Sequence, residues 1–388
     1  YEDRDDIEFD TGRDMVTGAG ALIISAKSLD QNYRLGTAAS SKFGDDYSAD
    51  SSDGYMYFSA REFDALSDNF TDVTIGHIGT NVSMIFGDIE DKALTSERNY
   101  NAKLNDITTF NANTMEIRGD IQSSNILTFN ADILSISSTN LHYPMGIPDS
   151  GISGKEIYLN VDEQLVHSGW IQAEDKIDID ILNSTGDDAL IRYLDGPLSF
   201  RSDSATAITT TNDNSEISIN TNGSIYSASF IQAGGTNSTI TLTTSQGGIT
   251  NLSGGNINVQ GESSTITLNS AKNANLNISS ALTAGARFDY SSGAPVAVKT
   301  AEFGDITINA AGELGLNGSL TASGDIVLNT TSSTNDHADY FDNINGKTIA
   351  STNSNVQSII EGLNNGTLSV NLKNLFTENN IALEDNAT

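Results

Sequence analysis

From about residue 105 onward, apolar and polar positions alternate in short bursts: TMEIRG (114–119), ILTFNADILSIS (126–137), EIYLNV (156–161), KIDIDI (176–181), EISIN (216–220), STITLTT (238–244), STITLN (264–269). Each burst places two or three apolar side chains on one face, the period of a half-buried strand. Each ends in Gly, Asn, Asp or Ser, residues that accept turn dihedrals. Strand-like pieces also occur earlier, at GALIISA (20–26), YMYFSA (55–60) and, twice, within DVTIGHIGTNVSMIFGDI (72–89). AREFDALSD (60–68) reads as a short helix or turn. One stretch, SNVQSIIEGLNN (354–365), has a helical stripe: Val356, Ile359, Ile360 and Leu363 stand at i, i+3, i+4 and i+7.

The bursts repeat as words. GDITIN at Gly304 returns as GDIVLN at Gly324, with Leu314 and Leu316 midway. FIQA (230–233) follows WIQA (170–173), and the repeat sets Trp170 level with Phe230 and Leu320. STIT occurs at 238 and again at 264. The interval is about 20 to 26 residues, which suits one coil of strands and turns whose apolar face is too small to be stable alone. Stacked coils bury a continuous row of Ile, Leu, Val and Ala, and align Asn and Thr into ladders. The expectation is an all-β parallel β-helix (β-solenoid) over 71–388, with a possible helical insertion at 354–365. Residues 1–70 are expected to form an irregular acidic cap or docking region with short strands. About 13 to 15 coils at ~4.8 Å each would span about 60 to 75 Å.

GDITINAAGELGLNGSLTASGDIVLN and SGWIQAEDKIDIDI resemble the coils of filamentous-haemagglutinin-type bacterial surface proteins. Residues 35–89 are similar to a segment of very large repetitive adhesin-like proteins. The markers are LGTA (35–38), Phe63 and Leu66, Asn69-Phe70, and Val73-Thr74-Ile75-Gly76; SIIEGLNNGTLSV (358–370) is similar to helical segments of that group. The resemblance implies a right-handed β-helix at the bacterial cell surface. Residues 43–58 are longer and more acidic than in that group, so no ligand is carried over.

Charge narrows the partners. The chain carries 51 acids against 19 bases, a formal net charge of −32. Phosphate neutralisation needs clustered Lys and Arg, so nucleic acid is excluded as a partner. Such a surface favours cations, Ca²⁺ above all. Twenty of the acids fall in residues 1–100 and five in 201–300. There is no cysteine, which removes disulfides, thiolate metal sites and cysteine nucleophiles. It also fits export across bacterial membranes. The chain opens at Tyr1 without Met or a signal peptide, which suggests a mature form or fragment, and no apolar run reaches the roughly 20 residues of a membrane helix.

Candidate chemistry is sparse. FGDDYSADSSDG (43–54) sets Asp45, Asp46, Asp50 and Asp53 before Gly54, oxygen ligands for Ca²⁺ in a spacing that fits no EF-hand. In KIDIDI, Ile177, Ile179 and Ile181 are expected inward, with Asp178 and Asp180 outward. With Asp187, Asp188, Arg192 and Arg201 these form the candidate Ca²⁺ or polysaccharide-cleaving cluster. His77, His142, His167 and His337 lie too far apart in sequence for a zinc motif. Arg118-Gly119-Asp120 spells an integrin-type tripeptide but reads as an ordinary turn into a strand. Sequons such as those at Asn277 and Asn317 matter only where the source glycosylates them. The leading expectation is a non-enzymatic, extracellular structural or adhesive segment, associating end to end or side by side with its own kind or with cell-surface glycans or proteins. The alternatives are a carbohydrate-active β-helix enzyme and a Ca²⁺-dependent assembly module.

Overall fold

A computed structural model describes residues 16–26, 30–37, 55–59, 69–87, 101–136, 151–182, 190–191, 207–227, 230–251, 255–271, 274–289, 296–311, 314–316 and 320–330, with a few short pieces elsewhere. The acidic loop 43–54 and the helical candidate 354–365 lie outside the described residues. Among the described residues the elements are strands, apart from a helical position at Phe63, and their pairing is parallel except in two short hairpins. The chain divides into two compact units, residues 1–173 with 193–206, and residues 174–192 with 207–388.

In the second unit most strands pair in parallel with the third strand on, or with the fifth where the hairpin Ala286–Asp289/Val296–Lys299 intervenes, so the strands form three columns. The first column runs through the end of Trp170–Ile181, then Glu216–Thr221, Thr239–Thr244, Thr265–Asn269, Asp305–Ala310 and Ile326–Thr330. The second runs Leu190–Ile191, Ile225–Ser227, Ile249–Asn251, Leu276–Ile278, Leu314–Leu316. The third runs Ala207–Thr210, Phe230–Ala233, Ile257–Val259, Leu282–Ala284, Leu320–Ala322, Ile349–Ser351.

The alternation decides which face is buried. Ile177, Ile217, Ile240, Ile266, Ile306 and Ile326 occupy one register position, and each is at most 1% exposed. Burying each such side chain stabilises by about 1.5–3 kcal/mol. The interval between partners varies more than the words suggest. Lys176 pairs with Glu216, Glu216 with Thr239, Thr239 with Thr265, Thr265 with Asp305 and Ile306 with Ile326, offsets of 40, 23, 26, 40 and 20. One 40-residue step holds an antiparallel hairpin, Ala286–Asp289 with Val296–Lys299. The 20–26 interval therefore describes the shorter steps; turns lengthen without disturbing register because only the strands are stacked.

The first unit has the same third-strand order with a more aromatic interior. Ala21–Ile24, Asp72–Gly76 and Thr108–Asn111 lead to Ile126–Ile136 and then Gly151–His167. The last two are long strands that serve two columns each. Residues 127–130 pair with Thr108–Asn111, and 133–136 with Thr114–Ile117, across a register shift between Ala131 and Ile133. The rings of Phe86, Phe110 and Phe129 succeed one another inside, 6.1 and 5.1 Å apart, all at most 1% exposed. One strand breaks the order. Tyr55–Ser59 pairs with Asn32–Thr37 on the edge opposite to Ser83–Phe86. Phe58 and Phe63 meet edge to face at 4.5 Å, and Phe63 continues to Phe86, closing this end of the interior. The paired markers Phe63 and Leu66 are both buried, and Leu66 N–H donates to the Phe63 carbonyl at 3.2 Å.

One marker acquires a backbone reason. Gly76, last of Val-Thr-Ile-Gly, has φ +84°, and a Cβ there would fall 2.3 Å from the Asn111 carbonyl oxygen. Leu320 needs a correction: its register chain is Leu282, Ile257 and Ile231, not Phe230. Leu320 is 1% exposed while Phe230 and Trp170 are half-buried, because a one-residue slip turns a strand residue to the other face. Trp170 lies over Gly151, where a Cβ would come within 2.1 Å of the indole.

Candidate functional site

The outward face of the first column in the second unit carries the candidate carboxylates. Ile177, Ile179 and Ile181 are buried, and Asp178 and Asp180 are half-buried on the opposite face, as the alternation requires. Lys176 Nζ lies 3.0 Å from Asp178 Oδ2 and 3.7 Å from Glu216 Oε2 on the neighbouring strand. Asn220 Nδ2 donates to Asp180 Oδ1 at 3.1 Å. The pair thus sits at one end of a side-chain ladder. Asn269 Nδ2 donates to Thr243 Oγ1 at 3.2 Å, and Asn309 Nδ2 to Asn269 Oδ1 at 2.6 Å. A second ladder in the first unit joins Asn160 to Asn130 and Asn130 to Asn111, each at 2.8 Å. Side-chain ladders between stacked strands were legible in the repeat.

These carboxylates hold neighbours on their own and adjacent strands. Among the described residues no three His, Cys, Asp or Glu side chains group as metal ligands. Asp45, Asp46, Asp50 and Asp53 lie outside the described residues, as do Asp187, Asp188, Arg192 and Arg201. Arg118-Gly119-Asp120 forms the corner between Thr114–Ile117 and Asp120–Ser123; Gly119 is buried and Arg118 pairs with Glu116 at 2.6 Å.

Three arrangements escaped the sequence. The first is a buried hydroxyl row at one corner of the second unit. Thr210 Oγ1 and Ser215 Oγ are 2.8 Å apart, Ser215 Oγ donates to Ser238 Oγ at 3.1 Å, and Ser238 N–H donates to Ser264 Oγ at 3.1 Å. All four are at most 1% exposed. The repeated Ser of STIT at 238 and 264 was the signal. The second is the residue just before each of these serines. Asn214, Asn237 and Ser263, with Phe303 at the next step, have φ between 54° and 58°, the left-handed region. Asn and Ser are ordinary there; Phe303, 63% exposed, is not.

The third is Tyr33, fully buried at the closed end of the first unit. Ala26 N–H donates to its hydroxyl at 2.8 Å, and His77 Nδ1 lies 2.8 Å on the other side. Those are its only hydrogen-bond neighbours among the described residues, so the phenol donates to His77. Burial pushes the Tyr33 phenol above its ordinary value, outweighing the opposite pull of the Ala26 amide. Tyr33 ties the corners of two successive strand rows together.

No helix among the described residues is long and apolar enough to cross a membrane. No protein family, curated protein or solved structure matches the chain.

Proposed function

We propose that the chain is a right-handed parallel β-helix acting as a non-enzymatic structural or adhesive segment of a bacterial cell-surface protein. One observation carries this reading: strand after strand pairs in parallel with its counterpart one row on, and the same inward positions are filled by Ile, Leu, Val or Ala. Each three-strand row is then one coil. Right-handedness follows from the strong preference of parallel crossovers in twisted sheets. Polar side chains meet across neighbouring strands, as in Lys176–Glu216 and the Asn ladders. The proposed work is mechanical: a stiff stack presents its turns and carries load along the stacking direction. The lack of cysteine and the net charge of −32 fit an exported, extracellular setting.

Small-angle scattering and electron microscopy test the reading. The expected particle is elongated, with a cross-section of one coil; a compact particle overturns it. Incubation with pectin and alginate in the presence of Ca²⁺ tests the non-enzymatic half. Release of unsaturated products that disappears in Asp180→Ala would replace the structural assignment with a lyase.

A further inference from the structure

We infer that the outward face of the first column in the second unit binds ice, through a grid of threonine side chains that takes up the ordered water of a crystal surface. Thr239, Thr241, Thr265, Thr267 and Thr307 stand on three consecutive strands of the column. Thr239 is level with Thr265, and Thr241, Thr267 and Thr307 share one register row, with no register shift across them. Neighbouring positions are therefore about 4.8 Å apart across the strands and about 6.7 Å apart along them. These distances are comparable with the oxygen spacings on a prism plane of ice. All five residues are half-buried, while the residues between them face the core.

Among the described residues none of these five hydroxyls takes a hydrogen-bond partner in the protein. The row beside them is tied: Asn309 bonds Asn269, and Asn269 bonds Thr243. Side-chain ladders of that kind hold stacked strands flat. A β-branched side chain is also stiff at χ1, so each hydroxyl and its methyl keep a fixed place in the grid. Little order is lost when a lattice settles on groups already held in position. Charge names the occupant. In a chain of net charge −32 the grid itself is uncharged, with Glu216 and Asp305 at its borders. Its strands carry no aromatic side chain on which a sugar could stack. A neutral periodic face suits an uncharged periodic solid. The first unit repeats the pattern independently. Thr74, Thr109 and Thr128 share one register row, their hydroxyls likewise without a partner among the described residues, beside the ladder of Asn111, Asn130 and Asn160. Outward positions are not needed for the core, so burial does not dictate this recurrence.

Thermal hysteresis, the gap between the melting and freezing points of a seeded crystal, tests the inference on the full chain. The wild type is expected to open a gap that grows with protein concentration, and to be enriched in slowly grown ice. Thr267→Lys, which puts a charge at the centre of the grid, should remove most of the gap. Thr250→Lys adds the same charge at an outward, half-buried position of the second column and should leave it unchanged. A wild type that opens no gap and is excluded from the ice overturns the inference. So does a gap that survives Thr267→Lys, or one that both variants reduce equally. Should Thr267→Lys lower the thermal unfolding midpoint, Thr241→Lys replaces it under the same criteria. An elongated particle without hysteresis would sink this face and leave the structural function standing; a compact particle with hysteresis would sink the structural function alone.

Discussion

Single residues are where the repeat deviates, and the deviations are informative. Tyr33 is a titratable group shifted by burial within a hydrogen-bonded surround. Its folded-state pKa lies above the unfolded value of about 10, so the folded state keeps the proton longer. The corresponding stability is fully present below pH ~10 and is lost as pH rises through the folded value. Urea midpoints should therefore fall as pH rises above ~10, and fall less in Tyr33→Phe. At neutral pH the same substitution leaves the Ala26 amide without its acceptor and should cost about 1–2 kcal/mol. Phe303 makes the opposite case. A bulky residue at φ 54° is strained, and at 63% exposed it recovers little by burial. Phe303→Asn should raise stability by about 0.5–1 kcal/mol, read as a higher thermal midpoint.

Strands were the best-read elements. KIDIDI, EISIN and DITIN fall inside strands, as does STITLTT from Thr239 on, with inward and outward residues as alternation requires. That legibility has a plain cause: a half-buried strand must write its two faces into neighbouring positions. Ile266→Ala should cost about 2–5 kcal/mol, because the residue is fully enclosed between Ile240 and Ile306. Thr267→Ala, one residue along and facing out, should stay within about 0.5 kcal/mol. Denaturant melts of the two variants separate the faces directly. Corners were harder. The left-handed residues Asn214, Asn237, Ser263 and Phe303 are not all of one type, since what is repeated is their backbone conformation. Nor did the words reveal that Tyr55–Ser59 would fold back beyond Asn32–Thr37, a choice made by pairing and by the rings of Phe58 and Phe63.

For the chain as a whole, charge is the dominant long-range term. A net charge of −32 opposes any compact state, and the opposition is screened by salt. Raising ionic strength from ~0.01 M to ~0.15 M shortens the screening length from about 30 Å to about 8 Å. The thermal midpoint should rise by several degrees over that range, and NaCl and KCl should act alike. If Ca²⁺ at the same ionic strength raises the midpoint well beyond NaCl, and a chelator reverses it, specific binding by the acidic stretch containing Asp45, Asp46, Asp50 and Asp53 is indicated.

Taken alone, the sequence determined that the chain is built of short strands with one apolar face, recurring at roughly coil length, and that its net charge is strongly negative. Those properties are local or additive: alternation, turn composition and net charge need no knowledge of distant neighbours. Only the tertiary structure decided which repeats stand in register. It moved Leu320 from the Phe230 position to that of Ile231, and it showed steps of 40 residues beside steps of 20. It also showed the neighbours of this acidic pair: Lys176 beside Asp178 on the same strand and Asn220 beside Asp180 on the next. Register is a relation between strands far apart in the chain, settled by which inward side chains stack and which outward ones can bond, and no single strand contains it.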